Sequence, residues 1–281
     1  MVRVERESCM GCTAMEPSHP PWNAIRWLAL AVLALAVSGL LAVVLVLGHV
    51  PAIASAHLVD AELAQRSLVV HVNLATGVWF FAFIVGLSCL GAWPRRYAGV
   101  ALAVAGVIAF SAAGLARAPV VLSDYVPVID HPLFLAGLAA FAAGVIVASV
   151  RSFRATATSR ALPPDVQHGL RAAQIAFAIA MLTIVAAYVC RDPDATRAAS
   201  FQHLFWGGGH VLQFAAVAGM LATWLLLFHQ IVGTSPISSR LSALLFTALV
   251  LPTASAPWLV LTGQSPRAFT RMMELSIFPV V

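Results

Sequence analysis

Nine histidines stand in a chain of 281 residues that is 61% hydrophobic and only 10% charged. An imidazole ligates transition metals or haem iron, changes charge near neutral pH, and is costly to bury unpaired in an apolar medium. His71 and His210 sit inside long apolar runs, so each needs a metal or a hydrogen bond to offset that cost. Polar groups at membrane depth mark a functional site by default. His203 and His210 are separated by seven positions, which on a helix is about 20° around the axis and about 10.5 Å along it. They face one way, yet are too far apart to bind one ion directly. Gly207, Gly208 and Gly209 remove side-chain bulk just before His210, permitting close approach of a neighbouring helix or of a flat cofactor beside an axial nitrogen. His131, ahead of Pro132, is a weaker metal candidate, as is His203. His19, His49, His57, His168 and His229 read as solvated or helix-capping, and Phe205, Trp206, Trp79 and Phe80 as lipid-facing or interfacial aromatics.

The elements that must carry these residues are membrane helices. Mean hydropathy is +0.92, and ordinary soluble domains have about 25% charged residues, which excludes a soluble globular enzyme. A hydrocarbon core about 30 Å thick needs about 20 apolar helical residues. Seven charge-free runs qualify, near residues 27–49, 68–92, 98–116, 132–150, 172–190, 204–228 and 241–263. The expected fold is an all-α bundle of seven spans, followed by residues 272–281 as a partial eighth helix. Residues 1–26 form a disordered tail and 27–281 the bundle.

All 16 basic residues are arginine, and with 11 acids the formal charge is +5. That density makes no nucleic-acid footprint; it decorates loops. Arg3, Arg6, Arg26, Arg95, Arg96, Arg151, Arg154, Arg160, Arg171 and Arg240 fall on one side of the alternating runs, and most loop acids (Asp60, Glu62, Asp124, Asp130, Asp192, Asp194) on the other. The positive-inside rule then puts the N-terminus in the cytoplasm. Helices 2, 4 and 6 start on the outer face, so His71, His131, His203 and His210 share that side. The small-residue stretch 52–56 resembles a signal cleavage site, but the preceding apolar run exceeds a signal h-region of about 7 to 15 residues, and helix 1 is expected to be retained.

Four cysteines are too few for a disulfide framework. Cys9 and Cys12, in a cytoplasmic tail, make at best half a zinc site shared with a partner; Cys89 and Cys190 read as small apolar residues.

Gln202-His203-Leu204-Phe205-Trp206-Gly207-Gly208-Gly209-His210 resembles the sixth-helix motif of subunit I of the haem-copper oxidases. In that family the position of His210 ligates the active-site copper. His71, in His-Val-Asn-Leu-Ala-Thr-Gly-Val-Trp-Phe, is similar to the family's helix 2 axial ligand of a low-spin haem. The stretch from Asp124 to Pro132 resembles related oxidase and nitric oxide reductase-like chains, and reads equally as a polar loop ending in a Pro-initiated helix. The resemblance implies haem, a place in a bacterial inner membrane, partner membrane subunits, and a cytochrome c or quinol as electron donor.

The departures matter as much. After His210 the family continues Pro-Glu-Val-Tyr, whereas here Val211-Leu212-Gln213-Phe214 follows. Helix 7 of the family adds two adjacent histidines, and residues 241–263 have none. A three-histidine copper centre cannot be assembled from this chain, and the family's remaining haem ligands, on helix 10, would have to come from a longer chain or a second polypeptide. The expected function is a haem-binding electron-transfer subunit resembling a terminal oxidase subunit I. The alternatives are a catalytically inactive haem-binding or structural module, and a seven-helix transporter or assembly factor.

Overall fold

A computed structural model describes residues 22–48, 50–51, 60–90, 97–159, 161–263 and 266–278. Cys9, Cys12, His19, His49, His57, Arg95, Arg96, Arg160 and the 52–56 stretch lie outside the described residues. Among the described residues eight helices follow in order: α1 Trp22–Gly48, α2 Ala61–Leu90, α3 Ala98–Ala113, α4 Pro132–Ala157, α5 Pro164–Val189, α6 Arg197–Val232, α7 Ser239–Leu261 and α8 Pro266–Ile277. Six of them, all except α3 and α8, are long and apolar enough to cross a bilayer. The chain is an integral membrane protein.

Three elements depart from the expectation of seven spans and little but helix. The third run is helical for only 16 residues, about 24 Å against a hydrocarbon core about 30 Å thick, yet it carries the chain from the end of α2 back to the side where α2 begins, since Pro127 beyond it bonds Asn73. Between α3 and α4 the chain makes a small antiparallel hairpin, β1 Val120–Val121 against β2 Val128–Ile129. The last helix is amphipathic: Phe269, Met272 and Ser276 are buried, while Arg267, Arg271 and Glu274 are exposed. Its apolar face packs on residues of α5, α6 and α7, including Ala180, Val211 and Ala256.

The bundle pairs neighbours. The pairs α5–α6 and α3–α4 pack most extensively, α1 lies along α2, and α7 against α5. The α3–α4 contact rests on facing glycines: a Cβ at Gly106 would lie 2.5 Å from the Gly137 carbonyl oxygen, and one at Gly137 would lie 2.6 Å from the Phe110 nitrogen. Without a hydrophobic drive between helices in lipid, such backbone approach supplies the van der Waals contact that holds them together.

Two helices are locally rewound. In α2, residues Asn73–Val78 form a π-helical stretch, in which the Trp79 N–H donates to the Leu74 carbonyl. π-turns are rare and recur at functional sites. In α7, Leu251–Ser255 tightens to a 3-10 turn, where Pro252 lacks the N–H that an α-helix requires.

Candidate functional site

One end of the bundle gathers His71, His210, the hairpin loop and α8. The loop is fastened at four points. Asn73 Nδ2 donates to the Pro127 carbonyl at 2.8 Å and to the Val69 carbonyl at 2.9 Å, tying the start of the π-turn to the hairpin. Gln202 Nε2 donates to Asp124 Oδ2 at 2.7 Å, and the Asp124 N–H donates back to Gln202 Oε1 at 3.0 Å. Arg197 forms a two-point ion pair with Asp130, with Nε 2.9 Å from Oδ2 and Nη2 2.5 Å from Oδ1. The fourth tie is Tyr125, whose hydroxyl donates to His210 Nε2 at 2.9 Å.

His210 is 7% exposed and both of its ring nitrogens are engaged. Nδ1–H donates to the Trp206 carbonyl at 2.7 Å, one helical turn back, which leaves Nε2 as the acceptor for Tyr125. The imidazole contacts two aromatics: Tyr125 has its ring centroid at 4.4 Å and Trp206 at 4.5 Å. Trp206 in turn meets Phe269 of α8 edge-on at 4.9 Å. Phe205 is buried, and Trp206 half-buried against His210, so this pair departs from a lipid-facing role. The hydroxyl of Tyr125 titrates above its ordinary range, because partial burial and then the Asp124 carboxylate disfavour the phenolate. It therefore remains a donor throughout the neutral range.

The three glycines before His210 clear space, and protein fills all of it. A Cβ at Gly207 would lie 3.1 Å from Phe269 Cζ, one at Gly208 3.0 Å from the Ala180 carbonyl oxygen, and one at Gly209 2.5 Å from Tyr125 Cβ. Among the described residues, neighbouring protein atoms lie within about 3 Å of a Cβ at each of these three positions. Tyr125 itself has φ 68°, a left-handed conformation uncommon for a bulky residue. Its ring can seat over Gly209 only because no side chain stands there.

His71 is arranged differently. Its Nδ1 stands 2.8 Å from both the carbonyl oxygen and the Oγ of Ser38 in α1, and Ser38 Oγ also donates to the His71 carbonyl at 3.1 Å. Ser38 is 1% exposed, which places this lock inside the α1–α2 interface. With Nδ1–H given to a backbone carbonyl, Nε2 carries the lone pair and has no hydrogen-bond partner among the described residues. Metal-ligating histidines typically have this arrangement.

The remaining histidines do other work. His131 is the N-cap of α4, its Nδ1 accepting from the Leu133 N–H at 3.2 Å. His203 is exposed, although it lies on nearly the same azimuth as His210. His168 contacts Ser242 Oγ at 3.3 Å. No group of three or more His, Cys, Asp or Glu that could hold a metal ion occurs among the described residues.

No protein-family model and no solved structure matches the chain. Among curated proteins it is similar to one from Aquifex aeolicus (strain VF5), described as uncharacterized, with 28% identity over 213 residues. The match covers 73% of this chain and 53% of the relative, so the chain spans about half the length of the curated protein it matches.

Sequence reasoning singled out His71 and His210 but missed the residues that define their chemistry. Ser38 was legible only as a polar residue inside an apolar run. Tyr125 lay in the one loop stretch that drew notice, Asp124 to Pro132, without any sign that its hydroxyl would reach helix 6.

Proposed function

We propose that the chain is a haem-binding electron-transfer membrane subunit, resembling subunit I of terminal respiratory oxidases, with His71 as an axial ligand. The observation that carries this is the lock on Nδ1 of His71 by Ser38, which fixes the tautomer and leaves Nε2 without a partner among the described residues. A haem held there would supply one-electron transfer. Ser38 orients the imidazole, and Asn73 with its π-turn fixes the segment that follows. An external donor such as a cytochrome c or quinol would supply the electron.

For the second position the geometry favours a different reading. Both nitrogens of His210 are used in hydrogen bonds to Tyr125 and Trp206. The residues present do not fit a copper centre or a second flat cofactor, which supports an oxidase-like scaffold in which this chain reduces no oxygen on its own. His210 is then a structural hub that holds the hairpin loop on α6. The orientation that goes with this reading has the N-terminus in the cytoplasm of a bacterium and the His71–His210 end at the outer face of the inner membrane.

The deciding experiment is an optical spectrum of protein purified from haem-replete cells, for wild type and His71→Ala. A low-spin haem spectrum in wild type, lost or shifted in the variant, is expected. A wild-type protein without a Soret band would favour the transporter or assembly-factor alternative, and an unchanged spectrum in the variant would move the ligand elsewhere.

A further inference from the structure

A groove of about 760 Å³ runs between α1 and α3. Its walls are apolar, with Leu33, Val37, Val104 and Ile108 among the lining residues and Leu74 of the π-turn contributing from α2. At one end stands Arg26, exposed, its guanidinium carbon 3.7 Å from the centroid of the Tyr97 ring. Neither of the ion pairs found among the described residues includes Arg26.

We propose that this groove holds one acyl chain of an anionic phospholipid whose phosphate is bound by Arg26. Three observations converge on that occupant. First, the charge is of the right sign and in the right place. Contact with the Tyr97 ring places the guanidinium while its N–H donors have no hydrogen-bond partner among the described residues, and that planar fork matches a phosphate. Second, the groove is apolar from Arg26 onward, so a polar or acidic peptide would be desolvated along it without return. Third, the length fits. Arg26 and Val37 both line the groove, and their separation on α1 is about 17 Å at 1.5 Å per residue, close to the roughly 15 Å of one leaflet's hydrocarbon.

The inference needs only that the chain spans a membrane and is independent of any haem. With the N-terminus in the cytoplasm, Arg26 lies in the leaflet where anionic lipids carry the negative surface potential.

The test uses the full chain in phosphatidylcholine nanodiscs, doped with phosphatidylglycerol or phosphatidylcholine that bears a photoreactive group on one acyl chain. Crosslinks are mapped by mass spectrometry. Groove residues should label about fivefold more with phosphatidylglycerol, the preference expected of one well-placed cation. Arg26→Gln should bring that ratio to about one, Arg26→Lys should retain most of it, and Ala101→Phe, at the groove wall, should suppress labelling by both lipids. Equal labelling of the groove by the two lipids in wild type would overturn the proposal without reference to any variant. So would an Arg26→Gln protein that keeps the preference, or groove crosslinks to residues 1–21 or to a second copy of the chain.

Discussion

The hydroxyl of Tyr125, in the loop between α3 and α4, lies 2.9 Å from Nε2 of His210 in α6. Together with the bond from Nδ1 to the Trp206 carbonyl, it saturates an imidazole that would otherwise be an unpaired polar group at membrane depth. The same contact pins the loop, because Tyr125 adopts φ 68° and the loop has no other aromatic reaching α6. His71 has one nitrogen locked and the other without a partner among the described residues. Two histidines on the same end of the bundle have thus been given opposite chemistry by their hydrogen-bond partners.

Tyr125→Phe keeps the ring over Gly209 and removes the hydroxyl. The expected loss is about 1 kcal/mol of stability, the typical net value of one such hydrogen bond, read by thermal unfolding in detergent. The pH dependence carries a second signature. Tyr125 titrates above its ordinary range in the folded chain, so its contribution is intact below the unfolded-state value, near 10, and declines as pH rises from there through the folded value. All 16 basic residues are arginine, so no lysine titrates in this window, and Tyr97 and Tyr188 are common to both proteins. The stability difference between wild type and variant should therefore be flat to about pH 10 and fall above it. A difference that grows with alkalinity would contradict the assignment.

Gly209→Ala should destabilise, although alanine is the better helix former. A Cβ at this position would lie 2.5 Å from Tyr125 Cβ, an atom close to the backbone that cannot swing aside. Overpacking costs about 1 to 3 kcal/mol, whereas glycine to alanine inside a helix gains at most about 1 kcal/mol. The clash wins. Gly39 is the control, since a Cβ there meets nothing within 4 Å, and Gly39→Ala should be neutral or slightly stabilising. Comparing melting temperatures of the two variants, together with limited proteolysis of the 114–131 loop, checks both the sign and the place of the effect.

What the sequence made legible follows from what membranes demand. Apolar length is a direct requirement of the bilayer, so charge-free runs found the six long helices. Charge-counting clipped their ends, because helices continue past the hydrocarbon into segments such as Ala61–Ser67 and Arg197–His203, where Glu62, Arg66 and Arg197 are tolerated. The π-stretch at Asn73–Val78 left no periodic signature, since its six residues are too few to shift an apolar pattern. The hairpin was equally hidden, with strands of only two residues. Ser38 and Tyr125 became informative only when folding brought them to His71 and His210, across 33 and 85 positions of chain. Even the glycines were half-read: close approach was legible, but not that Ile184, Tyr125 and Phe269 would occupy the space.

The orientation can be tested with the native thiols. Cys190, the C-cap of α5, is exposed, while Cys89 in α2 is 1% exposed and should not react in the folded protein. If the N-terminus is cytoplasmic, α5 runs outward and Cys190 lies on the outer side, across the membrane from Cys9 and Cys12. A membrane-impermeant maleimide applied to right-side-out vesicles should then label the chain at Cys190 alone, and Cys190→Ser should abolish that signal. In inverted vesicles the label should appear on Cys9 and Cys12 and survive the substitution. The reversed pattern would sink the proposed topology. It would also put His71, His210 and the Tyr125 loop on the cytoplasmic face, where an electron donor confined to the outer side could not reach them.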